Sequence, residues 1–131
     1  MQTPRLTATS ITIGTSQPLR LADFYSRLLG LPVTAEEPAG STGHPDAGWA
    51  QIRSSGGPTL NFEYERHHVR PVWPTRPGEQ NPTQHLDIHA PDLDAAVEWA
   101  VSLGAVLAEY QPQDEVRVLF DPDGHPFCLF T

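Results

Sequence analysis

Two stretches of this 131-residue chain repeat one another in chemistry though hardly in letters: SITIGTSQPLRLADFYSRLLG from Ser10 to Gly30, and HLDIHAPDLDAAVEWAVSLG from His85 to Gly104. Positions 10 and 85 are 75 apart and positions 30 and 104 are 74 apart, so the copies align with one residue lost in a turn. Each copy opens on a strand with period-two alternation. Ile11 and Ile13 share one face and Ser10 and Thr12 the other; in the second copy Leu86 and Ile88 oppose His85, Asp87 and His89. A helix comes next in each. Ser16, Gln17 and Pro18 open the first, its stripe is Leu21, Phe24, Tyr25 and Leu28, and Gly30 with Pro32 ends it. Asp92 caps the second, its stripe is Leu93, Ala96, Val97, Ala100 and Leu103, and Gly104 supplies a left-handed stop. Ile11 matches Leu86, Ile13 matches Ile88, Leu29 matches Leu103, and Tyr25 matches Trp99, which places Trp99 in the helix stripe. The apolar strand face points at its helix, and any pocket opens on the polar face opposite.

The segments after the two helices also correspond. The first copy continues with a short strand near Val33, a polar loop from Glu36 to Gly48, a strand WAQIR, a turn SSGGP and a strand TLNFEYE. The second continues with VLAEY from Val106, a polar break from Gln111 to Glu115, a strand VRVLF, a turn DPDG and a strand PFCLF. Each copy therefore reads strand, helix, strand, strand, strand. The fold class is α+β: two βαβββ modules forming a concave mixed sheet of half-barrels, with the helices on the outer face. The chain is read as a single domain over 1–131, with module 1 at about 8–65, a proline-rich linker at 66–83 and module 2 at 84–131. Pro71, Pro74, Pro77 and Pro82 bar regular helix or central strand from that linker.

Charge and cysteine content narrow the partners. Sixteen acidic against eight basic residues give a net charge of −8, so the favourable counterion-release term of nucleic-acid binding is missing, and an anionic membrane is equally unfavoured. The start MQTPRLTATS has no apolar run, and nowhere do eighteen apolar residues occur in succession, so a cytoplasmic location is expected. The single cysteine, Cys128, agrees with a reducing compartment.

FYSRLLGL after the first strand, QHLDIHAPDLDAAVEWAVSLGA and VLFDPDGHPFCLF together resemble the vicinal oxygen chelate superfamily, which includes glyoxalase I, extradiol dioxygenases and the bleomycin and fosfomycin resistance proteins. The resemblance runs from about Ala8 to Phe130 and is nearest to the glyoxalase-like branch. It implies a cleft in which enzymes of the superfamily hold a divalent metal on residues from the first and last strand of each module. Carried onto this chain, those positions are Ser10, Glu63, His85 and Cys128. His85 and Glu63 suit zinc, manganese, iron or nickel, serine is a poor ligand, and cysteine favours softer metals. Symmetry about the turns sets Asn61 rather than Glu63 opposite Cys128, and both lie on one face. Asp87 and His89 share the face of His85 and are replacement ligands. The resemblance also implies a homodimer.

Each candidate has a plainer reading. His85 is read first as a hydrogen-bonded polar residue at a strand start, Glu63 as a pocket-lining carboxylate, and Cys128 as a small buried apolar side chain. His67 and His68 are read as solvated at the start of the linker. Trp49 and Trp73 are placed at the fringe of a ligand pocket, with Ser10, Asn61, Cys128 and Phe130 as further ligand-contacting positions. His85 and His89 spell HxxxH, but zinc binding through that spacing needs a helix and this stretch alternates as a strand. His85, Asp87 and His125 mimic a two-histidine, one-carboxylate iron site, yet too little chain remains for the usual oxygenase barrel, and His125 sits in the DPDG turn. Two functions are compatible with these residues. The first is a binding module that sequesters a small organic molecule in the cleft. The alternative is a metal-dependent lyase, isomerase or dioxygenase, with His85 and Glu63 on the ion and Glu63 or Asp87 moving a proton. In both, Glu63 and His85 are expected to face one another across the inner wall.

Overall fold

The computed structural model describes residues 2–40 and 48–131, so residues 41–47 of the expected polar loop lie outside the described residues. The first module comprises β1 (Ser10–Thr15), α1 (Pro18–Leu29), β2 (Ala35–Glu37), β3 (Trp49–Ile52) and β4 (Thr59–Tyr64). The second comprises β5 (Asp87–His89), α2 (Leu93–Ser102), β6 (Val106–Leu107), β7 (Val116–Phe120) and β8 (Pro126–Phe130). The expected concave sheet is two separate four-stranded sheets, ordered β1-β4-β3-β2 and β5-β8-β7-β6. In each, the first strand runs parallel to the last and the remaining pairings are antiparallel. Neither sheet closes on itself among the described residues.

The helices form where capping and periodicity place them. Proline opens α1, and Gly30 ends it in the left-handed region at φ 66°, where a side chain would be strained. The Asp92 carboxylate accepts from the Ala95 N–H at 3.1 Å and caps α2. The symmetry of the two helices is broken at one pair: Tyr25 is buried, whereas Trp99 is 50% exposed and lies on the flank of α2 beside the buried Ala100. At about 100° per residue, Trp99 falls outside the narrow stripe formed by Leu93, Ala96, Val97 and Ala100.

One apolar core runs through both modules. Tyr25 of α1 stacks on Phe62 of β4 at 5.7 Å and meets Phe127 of β8 edge-on at 6.1 Å, while Phe24 meets Phe127 at 6.0 Å. Helix α1 therefore covers its own sheet and reaches the other. Buried Leu60 and Phe62 alternate with Thr59, Asn61 and Glu63 in β4, and buried Phe127 and Leu129 alternate with Cys128 and Phe130 in β8. The polar or reactive member of each alternation points away from the helices.

Candidate functional site

On the helix-free face of the second sheet, Asp87 stands opposite Cys128 across the parallel ladder. His85, just before β5, places Nε2 3.2 Å from Asp87 Oδ1. One donor atom from each of His85, Asp87 and Cys128 lies within 4.8 Å of the other two. Burial, with the Asp87 charge and a hydrogen bond that the thiol donates to it as lesser causes, pushes the Cys128 thiol up from its ordinary range. The Cys128 thiol is thus held protonated against the Asp87 carboxyl, with the His85 ring on the far side of that carboxyl. The nitrogen, oxygen and sulfur donors of this group fit a borderline divalent ion such as zinc, which the thiol would meet by giving up its proton. Apolar side chains border the same face. Trp73 lies 6.4 Å from Phe120 and 5.8 Å from Tyr110, and Phe130 lies 5.4 Å from His89.

The first sheet presents a different chemistry at the matching positions. Ser10 pairs with Thr59, Thr12 with Asn61, and Gly14 with Glu63, while Trp49 pairs with Glu63 from the other side. Asn61 accepts from the Gln51 side-chain amide at 2.9 Å. The ladders give the internal equivalence directly: Thr12 opposite Asn61 corresponds to Asp87 opposite Cys128, 75 positions on from Thr12. Asn61 is therefore the counterpart of Cys128, and Glu63 that of Phe130. Glu63 belongs to neither of the two clusters of three or more His, Cys, Asp or Glu side chains found among the described residues.

Between the modules lies a cleft of about 430 Å³. Ile11, Ile13, Tyr25 and Leu86 give it apolar wall, while Thr12, Gln84 and four histidines, His67, His68, His85 and His125, give it polar wall. Of the residues picked out from the sequence as site-forming, His85 lines this cleft; Ser10, Asn61, Trp49, Trp73, Cys128 and Phe130 do not.

The floor of the seam corrects the reading of His68 as solvated. Its side chain is 9% exposed, and its Nε2 lies 2.9 Å from the Asp123 carbonyl and 3.3 Å from Asp123 Oδ2. Asp123 in turn accepts from Thr15 Oγ1 at 2.6 Å, the Ser16 N–H at 2.9 Å and Ser16 Oγ at 2.9 Å. Burial raises the Asp123 carboxyl, but these hydrogen bonds and the His68 charge outweigh it and hold the group below its ordinary value. Two residues earlier, Asp121 is 1% exposed and accepts from Tyr25 Oη at 2.8 Å and from the N–H groups of Asp123 and His125 at 2.9 and 3.0 Å. Burial dominates there and raises the Asp121 carboxyl. Burial first, then the Asp121 charge and hydrogen bond, hold Tyr25 protonated well above its usual range. His125 Nε2 lies 2.7 Å from the Gly14 carbonyl, to which it donates. The DPDG turn is thus the bolt between modules, whereas the sequence marks it only as a turn. Nothing in a single chain says that a tyrosine 96 positions away meets its first aspartate.

Two mixed four-stranded sheets, each backed by one helix and related by an internal repeat, define the paired-module fold of the vicinal oxygen chelate class. Within it, residues 10–130 match the glyoxalase-like domain family, and the chain belongs to that family. No functionally curated protein matches it. Among solved structures, a glyoxalase family protein from Enterococcus faecalis is 19% identical, with a TM-score of 0.67 over 93% of this chain and 94% of that one. A glyoxalase/bleomycin resistance protein/dioxygenase family enzyme from Burkholderia phytofirmans is 15% identical, with a TM-score of 0.67 over 95% and 97%. A mutant of the fosfomycin resistance protein FosX from Listeria monocytogenes, complexed with Mn(II) and 1S,2S-dihydroxypropylphosphonic acid, is 13% identical, with a TM-score of 0.68 over 93% and 89%. At these identities the likeness speaks for the fold. No helix among the described residues is long and apolar enough to cross a membrane.

Proposed function

We propose that the chain binds a small organic molecule in the cleft between its modules and acts by sequestering it, as a cytoplasmic homodimer. The observation that carries this reading is the cleft itself. A volume of about 430 Å³ falls within the roughly 300–1,000 Å³ of small-molecule sites. Its mixed wall, apolar along Ile11, Ile13 and Leu86 and hydrogen-bonding along the histidines and Gln84, suits a compact ligand with an apolar body and polar oxygens. Ser10, Glu63, His85 and Asp87 are all exposed in the single chain, which leaves both helix-free faces open to a second copy. The test is native mass spectrometry of the freshly purified chain, then calorimetric titration with 1S,2S-dihydroxypropylphosphonate and bleomycin as probes. Thr12→Trp, which places an indole on the cleft wall, is expected to weaken binding at least tenfold. Absence of any retained or titrated molecule, or unchanged binding by Thr12→Trp, sinks the reading. A purely monomeric sedimentation profile removes the dimer from it.

The His85, Asp87 and Cys128 cluster favours a second reading, a metal-dependent lyase, isomerase or dioxygenase. When bound, the ion would polarise substrate oxygens as a Lewis acid. His85, Asp87 and Cys128 would hold it, with Glu63 moving a proton. Stoichiometric metal after growth in medium supplemented with zinc, manganese, iron and nickel, lost on His85→Ala, moves the balance to this reading.

A further inference from the structure

We propose that His68, Asp123 and His125 form a second divalent-metal centre, set in the seam between the modules and separate from the His85 cluster. One donor atom from each of the three lies within 4.8 Å of the others, and all three residues are partly buried. One edge of the site is already spaced for coordination. Ligand atoms about 2.0–2.2 Å from a tetrahedral ion stand roughly 3.3–3.5 Å apart, and His68 Nε2 is 3.3 Å from Asp123 Oδ2.

The surroundings orient these donors as outer partners orient ligands elsewhere. His125 spends its Nε2 hydrogen on the Gly14 carbonyl at 2.7 Å, which leaves Nδ1 as the nitrogen with a free lone pair. The Asp123 carboxylate is fixed by Thr15 and Ser16, with three donors at 2.6–2.9 Å. Oδ2 accepts two of these hydrogen bonds and Oδ1 one, so of about four lone-pair positions the one left is on Oδ1, and an ion taken at Oδ2 would displace one of its donors. His68 and His125 both line the cleft of about 430 Å³, so a position left open by three protein ligands faces the space where a small molecule enters.

Two imidazoles and one carboxylate select zinc, cobalt or nickel over magnesium and calcium, which take oxygen-rich sites. In the metal-free chain the Nε2 hydrogen of His68 is given to Asp123, so ligation through this nitrogen requires that hydrogen to leave it, in a neutral ring by moving to Nδ1. The three ligands come from the linker and the second module, while their supports, Gly14, Thr15 and Ser16, come from the first. An ion here would tighten the junction that shapes the cleft.

The experiment uses chelator-stripped protein carrying His85→Ala and Cys128→Ser, which disables the other cluster, and titrates it with zinc chloride by calorimetry. The expected result is one zinc per chain and a raised melting temperature. Adding His68→Gln or His125→Gln, each keeping an N–H donor for the carbonyl it serves, is expected to lower zinc affinity at least tenfold with the metal-free melting temperature little changed. A measurement that needs no variant is the imidazole spectrum of the natural chain by nuclear magnetic resonance, where zinc should perturb His68 and His125 and leave His67 unmoved. No zinc uptake by the background variant, or uptake undiminished by the glutamines and with the His68 and His125 signals unmoved, overturns the proposal.

Discussion

At the scale of single residues, the buried pair of Tyr25 and Asp121 makes the strongest energetic claim. A hydrogen bond to a charged group contributes about 1.5–3 kcal/mol, and here the carboxylate is buried with the phenol and two backbone N–H groups as its donors. Because burial raises the Asp121 carboxyl in the folded chain, its contribution favours the fold below the ordinary carboxylate range and is lost as pH rises through the folded value. The Tyr25 hydrogen bond opposes that rise by stabilising the ionised form. Tyr25→Phe should therefore cost about 1.5–3 kcal/mol at neutral pH and progressively less in acid, as Asp121 takes a proton. Urea denaturation of both proteins across that range checks this; parallel curves would mean that ionised Asp121 is not the partner. The residues Asp87, Asn61 and Cys128 were legible, since alternation alone fixes their side of the strand. Asp121, Asp123, His68 and His125 were not, because their roles come from contacts 55 to 111 positions apart and no local period encodes such a distance.

At the scale of elements, the linker behaves as a strap. Arg70 donates from Nη1 to the Pro122 carbonyl at 2.9 Å and lies over the DPDG turn, so closely that a Cβ on Gly124 would sit 3.1 Å from its Cβ. Gly124 also holds φ at 91°, a region that side chains rarely adopt. Both features oppose a side chain. Gly124→Ala should cost about 1–3 kcal/mol, and Arg70→Ala in the same chain should recover the part due to the Arg70 Cζ and Nε, which the new Cβ would meet at 3.2 Å, while leaving the Cβ contact and the backbone strain. A double-mutant cycle by chemical denaturation measures the recovery, and strict additivity would show that the strap does not press on the turn. The sequence marked these elements unevenly. Helices announced themselves by caps and by stripes of four or five residues, whereas β2 formed at Ala35–Glu37 rather than near Val33, and β5 began at Asp87 rather than His85. Such short edge strands are set by what they pair with. Gln51, Ala50 and Trp49 of β3 select residues 35–37, and Cys128 of β8 selects Asp87.

At the scale of the whole molecule, duplication suggests two units that could fold apart, and the packing joins them. The repeat made the two-module plan readable from the sequence, but pairing within each module gives no sign of how the modules meet. They meet through α1, whose Phe24 and Tyr25 both touch Phe127 of the second module within one continuous core. The cleft depends on that meeting, since its wall takes Ile11 and Ile13 from one side and Leu86 and Pro126 from the other. Phe127 is fully buried, so Phe127→Ala removes a large ring from the shared core and should cost about 3–5 kcal/mol. The sharper expectation concerns cooperativity. Trp49 lies in the first module and Trp99 in the second, so two variants that each keep one of them, with the remaining tryptophans replaced by phenylalanine, report the modules separately. If the core is one unit, both fluorescence transitions coincide with each other and with the loss of helix in urea, and Phe127→Ala shifts all of them to lower urea together. Should the Trp49 transition stay in place while the Trp99 transition moves, the modules are energetically independent, and a cleft that relies on their fixed spacing loses its physical basis.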